Sequence, residues 1–195
     1  MDKEAYLVRQ RNRKKQMLRF KLGITQLINR PLLNLFWILI AVFAVLLIFL
    51  KDKLMNGFDV PHILAPAFEF AMNFAVIILP ILLSWYLIEI VAEKTAIRDE
   101  ANLILVFDSK VLKAGHPILI SKKKVKGTNV IVREFFTYIP YNTWLEYKDA
   151  IADVMNVHFV EEIQYGGNND GNRIVLKTAK GRKAIQRDEM YDESF

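Results

Sequence analysis

Residues 31–50 read PLLNLFWILIAVFAVLLIFL and residues 71–88 read AMNFAVIILPILLSWYLI, and neither stretch contains a charged residue. The hydrocarbon core of a bilayer is about 30 Å thick, and a helix needs about 20 residues to cross it. Neither stretch alternates polar and apolar residues as a barrel strand does, so a helix is the structure that satisfies its backbone in lipid. The sequence therefore predicts two transmembrane helices.

The positive charge of the chain is concentrated before the first apolar stretch. The net charge is +6 over 195 residues, but residues 1–30 carry nine Lys and Arg against Asp2 and Glu4, a local net charge of +7. An excess of Lys and Arg beside a span holds that end on the cytoplasmic side of the membrane. Lys94 and Arg98 follow the second stretch. We therefore expect a multi-pass protein of the plasma membrane with both termini in the cytoplasm.

Residues 4–29 have a partly amphipathic helical pattern. Apolar residues recur at three- and four-residue spacing between the cations, namely Met17, Phe20, Ile24, Leu27 and Ile28. An interfacial helix would bury this stripe among lipid head groups, and each cation near anionic lipid would contribute about 1 kcal/mol. The alternative for residues 4–16 is a disordered basic arm that only sets the topology. Candidate contacts with the phosphate of lipid or DNA are Arg11, Arg13, Lys14 and Lys15.

Three residues of the second apolar stretch are candidates for contacts between helices. Pro80 removes one backbone hydrogen bond and favours a kink. Asn73 and Ser84 carry polar groups that favour a partner helix over lipid. Two spans are too few to enclose a pore in one copy, so these residues predict a homo-oligomer whose copy number stays open.

From about residue 94 the composition changes to that of a soluble α+β domain. Strands are predicted at residues 103–107, 117–124, 129–136, 158–165 and 173–178, with turns at residues 126–128 and 166–171. A helix is predicted before the fourth strand, and Thr143-x-x-Glu146 has the pattern of a capping box at its start. The predicted fold class is membrane α plus α+β, with two transmembrane helices followed by a small cytosolic antiparallel sheet with one helix.

These patterns divide the chain into four parts. Residues 1–30 form the basic cytosolic arm, partly an amphipathic helix, and residues 31–93 form the two-helix transmembrane hairpin. Residues 94–185 form the cytosolic α+β domain, and residues 186–195 form an acidic linker or tail.

Patterns that indicate catalysis or cofactor binding are missing from the sequence. His62, His116 and His158 are far apart, and no carboxylates stand at ligand spacing around them. The chain has no cysteine, so it has no thiolate site. Gly181 is followed by Arg182, and no glycine completes a nucleotide-binding loop. We therefore expect a chain that is not an enzyme and that binds no cofactor and no metal.

Four cations, Lys122, Lys123, Lys124 and Lys126, form a basic strand end or loop. Lysines at a sheet edge block pairing with other chains, which is one interpretation of this cluster. The other interpretation is contact with the phosphate of DNA or of lipid head groups. Both interpretations stay open from the sequence.

Residues 140–181 carry a resemblance to a known family. They read PYNTWLEYKDAIADVMNVHFVEEIQYGGNNDGNRIVLKTAKG. This stretch resembles the region ahead of the ATPase in FtsK/SpoIIIE-type DNA translocases of Gram-positive mobile elements, the conjugative coupling proteins (TcpA-like). The family's motor, with its nucleotide-binding loop, is not in this chain. The matching residues are Trp144, Met155, Asn156, Val157, Phe159, Val160, Glu161, Ile174, Leu176, Thr178 and Gly181.

The resemblance implies a membrane anchor and assembly domain that docks a DNA-translocating motor to a conjugative (type IV) secretion channel. It implies secretion-channel or relaxosome proteins as partners. The residues themselves predict membrane lipid and further copies of the chain as partners, and they leave DNA as an open alternative. Two alternatives remain from the residues alone. One is a small holin-like or toxin-related membrane protein, and the other is a membrane-bound receptor or regulatory module.

Overall fold

The computed structural model of the chain describes residues 3–57, 61 and 63–182. The chain divides into two compact units, Met1–Arg98 and Asp99–Phe195. The predicted acidic tail at residues 186–195 and His62 lie outside the described residues.

The first unit is helical. Helix α1 spans Lys3–Asn29, a 3₁₀ turn spans Pro31–Asn34, and helix α2 spans Leu35–Gly57. Helix α3 spans Ala65–Val106 and continues through Pro80. Its residues from Asp99 onward belong to the second unit. Helices α2 and α3 are long and apolar enough to cross a membrane, judged by length and composition. The prediction of two long apolar helices is confirmed.

The buried part of the first unit lies where α1 packs against the later turns of α3. Leu27, Ile88 and Val91 form an apolar cluster, and Phe20 and Phe36 are among the half-buried side chains that pack against it. Burying such side chains contributes about 1.5–3 kcal/mol each. The most buried side chains of this unit are therefore shared by α1 and α3.

The described part of the second unit contains a five-stranded sheet. After the end of α3 come helix α4 at Ser109–Leu112, strand β1 at Ile118–Lys124 and strand β2 at Val130–Phe136. Helices α5 (Tyr141–Glu146) and α6 (Lys148–Met155) precede strands β3 (Val157–Phe159), β4 (Gln164–Gly166) and β5 (Asp170–Lys180). All pairings are antiparallel in the order β1-β2-β5-β3, and β4 also pairs with β5. The prediction of a small antiparallel sheet is confirmed.

One face of this sheet carries the core of the second unit. Phe135 of β2 is opposite Ile174 of β5 in the register, and both are fully buried. Trp144 of α5 and Ile151 of α6 are fully buried as well. Because successive residues of a strand point to opposite faces, the buried residues of β5 alternate with more exposed ones.

The predicted strand at residues 103–107 is wrong, because these residues continue the helical path of α3. Phe107 N donates to Leu103 O over 3.0 Å, which is the spacing of a helical hydrogen bond. Leu103 and Phe107 are four residues apart, lie on one helix face, and are 0% and 3% exposed. The apolar run LILVF fits a strand by composition, but burial of one helical face decides its structure.

The predicted helix before the fourth strand and the fourth strand itself are each divided. Tyr147 separates α5 from α6, with φ −90° and ψ 9°. The capping box at Thr143 is also wrong, because Pro140 is the N-cap of α5 and no side chain caps it. The predicted strand at residues 158–165 becomes β3 and β4, which pair with different parts of β5.

Candidate functional site

One side of α1 carries three of the four candidate cations, namely Arg11, Lys14 and Lys15, because positions three and four residues apart are neighbours on a helix. Arg13, Lys14 and Lys15 are exposed, and Arg11 is half-buried. Consecutive helical residues are about 100° apart, so Arg13 points away from Arg11 and Lys15. Contact of these cations with phosphate stays a prediction.

The candidate lysines of the second unit do not form a uniform cluster. Lys122, Lys123 and Lys124 end β1, the edge strand of the sheet, and Lys126 lies in the turn to β2. Lys122 Nζ lies 2.7 Å from Asp99 Oδ2, and its side chain is only 20% exposed. Lys123, Lys124 and Lys126 are exposed. Three of the four lysines thus face solvent, while Lys122 belongs to the buried network described next.

A buried ionic network joins the last turns of α3 to the sheet. Asp99 Oδ2 lies 3.0 Å from Arg133 Nε on β2, in addition to Lys122 Nζ. Arg133 Nη1 donates to Thr178 Oγ1 on β5 over 2.6 Å. Asp99 is 3% exposed and Arg133 is 6% exposed. Sequence reasoning missed this network, although a charged residue inside the apolar strand VIVREFF was a signal for Arg133.

Glu100 extends the same contact to the edge strand. Glu100 Oε1 accepts a hydrogen bond from Leu119 N over 2.7 Å, and both residues are buried. The β1–β2 register shifts between Leu119 and Ser121, which marks a bulge. A carboxylate of α3 therefore satisfies a backbone donor of the edge strand next to the bulge.

Three contacts hold α1 against α3 in the first unit. Arg19 Nε lies 3.2 Å from Glu93 Oε2, and Arg19 is 5% exposed. The Phe20 and Trp85 rings stack with their centroids 4.5 Å apart. A Cβ atom on Gly23 would lie 2.7 Å from Ile88 Cγ2, so only glycine allows this close approach of the two helices.

The predicted apolar stripe of α1 is wrong as a single lipid-facing surface. Leu27 is 7% exposed and Phe20 is half-buried, and both pack toward α3. Met17 and Ile28 are 74% and 75% exposed, and Ile24 is 38% exposed. The packing of α1 on α3 therefore splits the five residues into two faces.

The candidate helix-contact residues make bonds within the chain. Asn73 Oδ1 accepts a hydrogen bond from Lys51 Nζ of α2 over 2.5 Å. Ser84 Oγ donates to Pro80 O of its own helix over 2.7 Å. Asn73 thus has a partner helix in the same copy, and Ser84 is satisfied locally. Self-association through these residues stays a prediction.

The part of the chain that the structure describes contains no group of three or more His, Asp or Glu side chains arranged to hold a metal ion. His158 Nδ1 lies 2.8 Å from Gly181 O, which connects β3 to the residue after β5. The role of His158 that the contacts support is therefore structural.

The comparisons with known proteins find little similarity. No family model and no curated protein matches the chain. The chain is similar to a solved structure of the pCW3 conjugation coupling protein TcpA, in a monomer form with ATPγS, at 24% identity and a TM-score of 0.37. The match covers 45% of this chain and 25% of that chain. The chain thus has a weak resemblance to a quarter of one conjugation coupling protein.

Proposed function

We propose that this chain is the membrane-anchoring and assembly region of a conjugative coupling protein and holds a DNA-translocating motor at the membrane. One observation carries the proposal. Two membrane-length apolar helices and a folded α+β unit occur in one chain, and residues 140–181 of that unit resemble coupling proteins.

The exposed surfaces of α2 and α3 support insertion into lipid. In the most apolar segment of each helix, the buried share is 6% for α2 and 11% for α3. Exposure of a contiguous apolar surface to water is unfavourable by about 25 cal/mol per Å². Examples of exposed large side chains are Leu39, Phe49, Phe74, Ile77 and Leu82.

The residues that carry the family resemblance support a shared core in the second unit. Trp144, Ile174, Leu176 and Thr178 are fully buried, and Val157 is 5% exposed. Residues of this kind determine packing, so the resemblance favours a common fold for residues 140–181.

In this proposal the chain itself does not hydrolyse nucleotide, because its 195 residues contain no nucleotide-binding loop. It resides in the plasma membrane with both termini in the cytoplasm, where residues 1–30 carry their positive charge. Its partners are membrane lipid, further copies of itself, and secretion-channel or relaxosome proteins.

The proposal is tested by expressing the full chain in bacteria that carry a conjugative element. We expect the chain to resist extraction from membranes at alkaline pH, to form a particle larger than one copy in mild detergent, and to co-purify with a secretion-channel or relaxosome protein. The variants Asn73→Leu and Ser84→Ala remove the two polar side chains that are predicted to form helix contacts between copies.

Two results would contradict this function. One is an intact chain that is recovered as a water-soluble particle without detergent. The other is a strictly monomeric particle that binds no component of the transfer apparatus. Dye leakage from liposomes that contain the chain would instead favour a holin-like protein.

A further inference from the structure

We infer that the last two turns of α1 lie in the head-group layer of an anionic bilayer, with Ile24 and Ile28 among the acyl chains and Lys21 and Arg30 at lipid phosphates. The inference rests on the proposed membrane insertion of α2 and α3. It adds a specific lipid contact to that function.

Helix α1 packs against α3 with one face and exposes a pair of isoleucines on the opposite face. Leu22, Gly23 and Gln26 are buried on the face toward α3. Ile24 and Ile28 are exposed and are four residues apart, so they share one face. Gln26 and Ile28 differ by two residues, about 200° of rotation, which places the exposed pair opposite the buried face. An exposed apolar face opposite the packed one favours contact with a second apolar environment.

The packing of α1 on α3 sets the depth of this exposed face. Gly23 approaches Ile88, Arg19 contacts Glu93 and Phe20 stacks on Trp85, so α1 crosses α3 near Ile88. The uncharged stretch of α3 ends at Ile88. Ile24 and Ile28 therefore lie close to the level at which α3 leaves the apolar layer of the proposed bilayer. Exposed Leu32 and Leu35 follow them into α2, which enters the same layer.

The charges beside the pair favour anionic lipid over other occupants. Lys21 and Arg30 are exposed, and they flank Ile24 and Ile28 in the sequence. Long cationic side chains lay their apolar stems along lipid and place their charge at the phosphates. A second copy of the same face would bring like charges together, and nucleic acid offers phosphate but no acyl chains. An anionic lipid surface offers both phosphates for the two cations and acyl chains for the two isoleucines.

The absence of cysteine from the sequence allows a direct test by site-directed spin labelling of the full chain. Single-cysteine variants Ile24→Cys and Ile28→Cys are reconstituted in liposomes of equal parts phosphatidylcholine and phosphatidylglycerol. Gln16→Cys, at an exposed position farther from Ile88 on α1, is the matched control, and Val45→Cys of α2 marks the span. We expect the ratio of oxygen to nickel-complex accessibility at positions 24 and 28 to be several-fold higher than at position 16.

The outcomes separate this inference from the proposed function. A low accessibility ratio, typical of water, at positions 24 and 28 together with a high ratio, typical of lipid, at position 45 would overturn the inference. It would leave the proposed anchor function intact. A water-like label at position 45 overturns the anchor as well. Spin–spin broadening at position 28 overturns the inference in favour of a second copy.

The requirement for anionic lipid has its own test. Adding Lys21→Gln and Arg30→Gln to the Ile24→Cys variant, or replacing phosphatidylglycerol by phosphatidylcholine, should lower the accessibility ratio at position 24 several-fold. An unchanged ratio in both cases overturns the assignment of the lysine and arginine to lipid phosphate.

Discussion

Asp99 Oδ2 accepts a hydrogen bond from Arg133 Nε over 3.0 Å, and both side chains are almost completely buried. The bond joins the end of α3 to β2, a strand with neighbours on both sides. Removing one partner of a buried ion pair leaves the other charge in a poorly solvating interior. Removing one partner of this pair should therefore destabilise the second unit by more than the intact pair stabilises it.

Replacing Arg133 by Met should destabilise the second unit by about 3 kcal/mol, because Lys122 is then the one cationic partner that Asp99 keeps among the described residues. The measurement is urea unfolding of the full chain in mild detergent. The fluorescence of Trp144 reports it when Trp37 and Trp85 are replaced by Phe.

Two variants control this prediction. Asp99→Leu combined with Arg133→Met should recover part of the lost stability, because it removes the two most buried charges of the network together, while Lys122 is 20% exposed and reaches solvent. Arg182→Gln removes an exposed arginine that lies 3.1 Å from Asp153, and it should change stability by about 0.5 kcal/mol or less. An Arg133→Met variant as stable as the wild type would disprove the structural role of the network.

Replacing Gly23 by Ala should loosen α1 from α3. The added Cβ would lie 2.7 Å from Ile88 Cγ2 and closer still to the Ile88 backbone, which has little freedom to move. Overpacking of this kind costs about 1–3 kcal/mol, more than the gain of about 0.5–1 kcal/mol from a better helix former. Hydrogen exchange of the α1 backbone amides should become faster near Gly23.

Gly57→Ala is the matched control, because in the described part of the chain no heavy atom beyond its chain neighbours and its own helix backbone lies within 4 Å of the added Cβ. It should leave hydrogen exchange in α1 unchanged. Equal exchange in the wild type and the Gly23→Ala variant would show that the close approach of α1 and Ile88 is not required.

Replacing Trp144 should separate the contribution of its volume from that of its indole nitrogen. Its ring lies 5.0 Å from that of Phe107 and 5.8 Å from that of Phe135, and it is fully buried. Trp144→Ala should cost about 3–5 kcal/mol because it leaves a cavity. Trp144→Phe should cost clearly less, since Trp144 Nε1 has no hydrogen-bond partner among the described residues.

Thermal unfolding followed by circular dichroism measures both Trp144 variants. Leu145→Ala, at a neighbouring position that is 37% exposed, is the control and should have a small effect. Equal losses in the Phe and Ala variants would contradict the cavity argument.

The hydrogen bond from Tyr147 to Asp108 makes stability sensitive to alkaline pH. The phenol O–H of Tyr147 donates to Asp108 Oδ2 over 2.9 Å, and this bond, burial and the negative charges of Asp108 and Glu146 raise the Tyr147 pKa above its ordinary value of 10.0. Because the pKa is higher in the folded chain, the stabilisation is complete below pH 10.0 and is lost as the pH rises through the folded-state value.

Asp108→Asn should therefore lower the pKa of Tyr147, because it removes the charged acceptor. Ultraviolet difference titration of the tyrosines measures the change, and Tyr147→Phe identifies the contribution of this residue. A titration curve that is identical in Asp108→Asn and wild type would show that the bond does not form in solution.

Several features of the fold follow from local composition alone. Charge-free stretches at residues 31–50 and 71–88 are long enough for apolar helices whatever surrounds them. The strands predicted at residues 117–124 and 129–136 each start one residue before β1 or β2 and end with it, because a turn around Gly127 separates two strand-like segments. The hairpin of β4 and β5 likewise follows from the polar turn at residues 166–171.

The partner of each apolar or charged face depends instead on contacts between distant segments of the chain. The run at residues 103–107 has a strand-like composition, but Leu103 and Phe107 are buried together as one helical face. The apolar residues of α1 look alike in the sequence, yet Leu27 packs toward α3 and Ile28 stays exposed. Asp99 and Arg133 are 34 residues apart, and no local pattern pairs them. Periodicity fixes which residues share a face, whereas contacts between distant segments fix what that face touches.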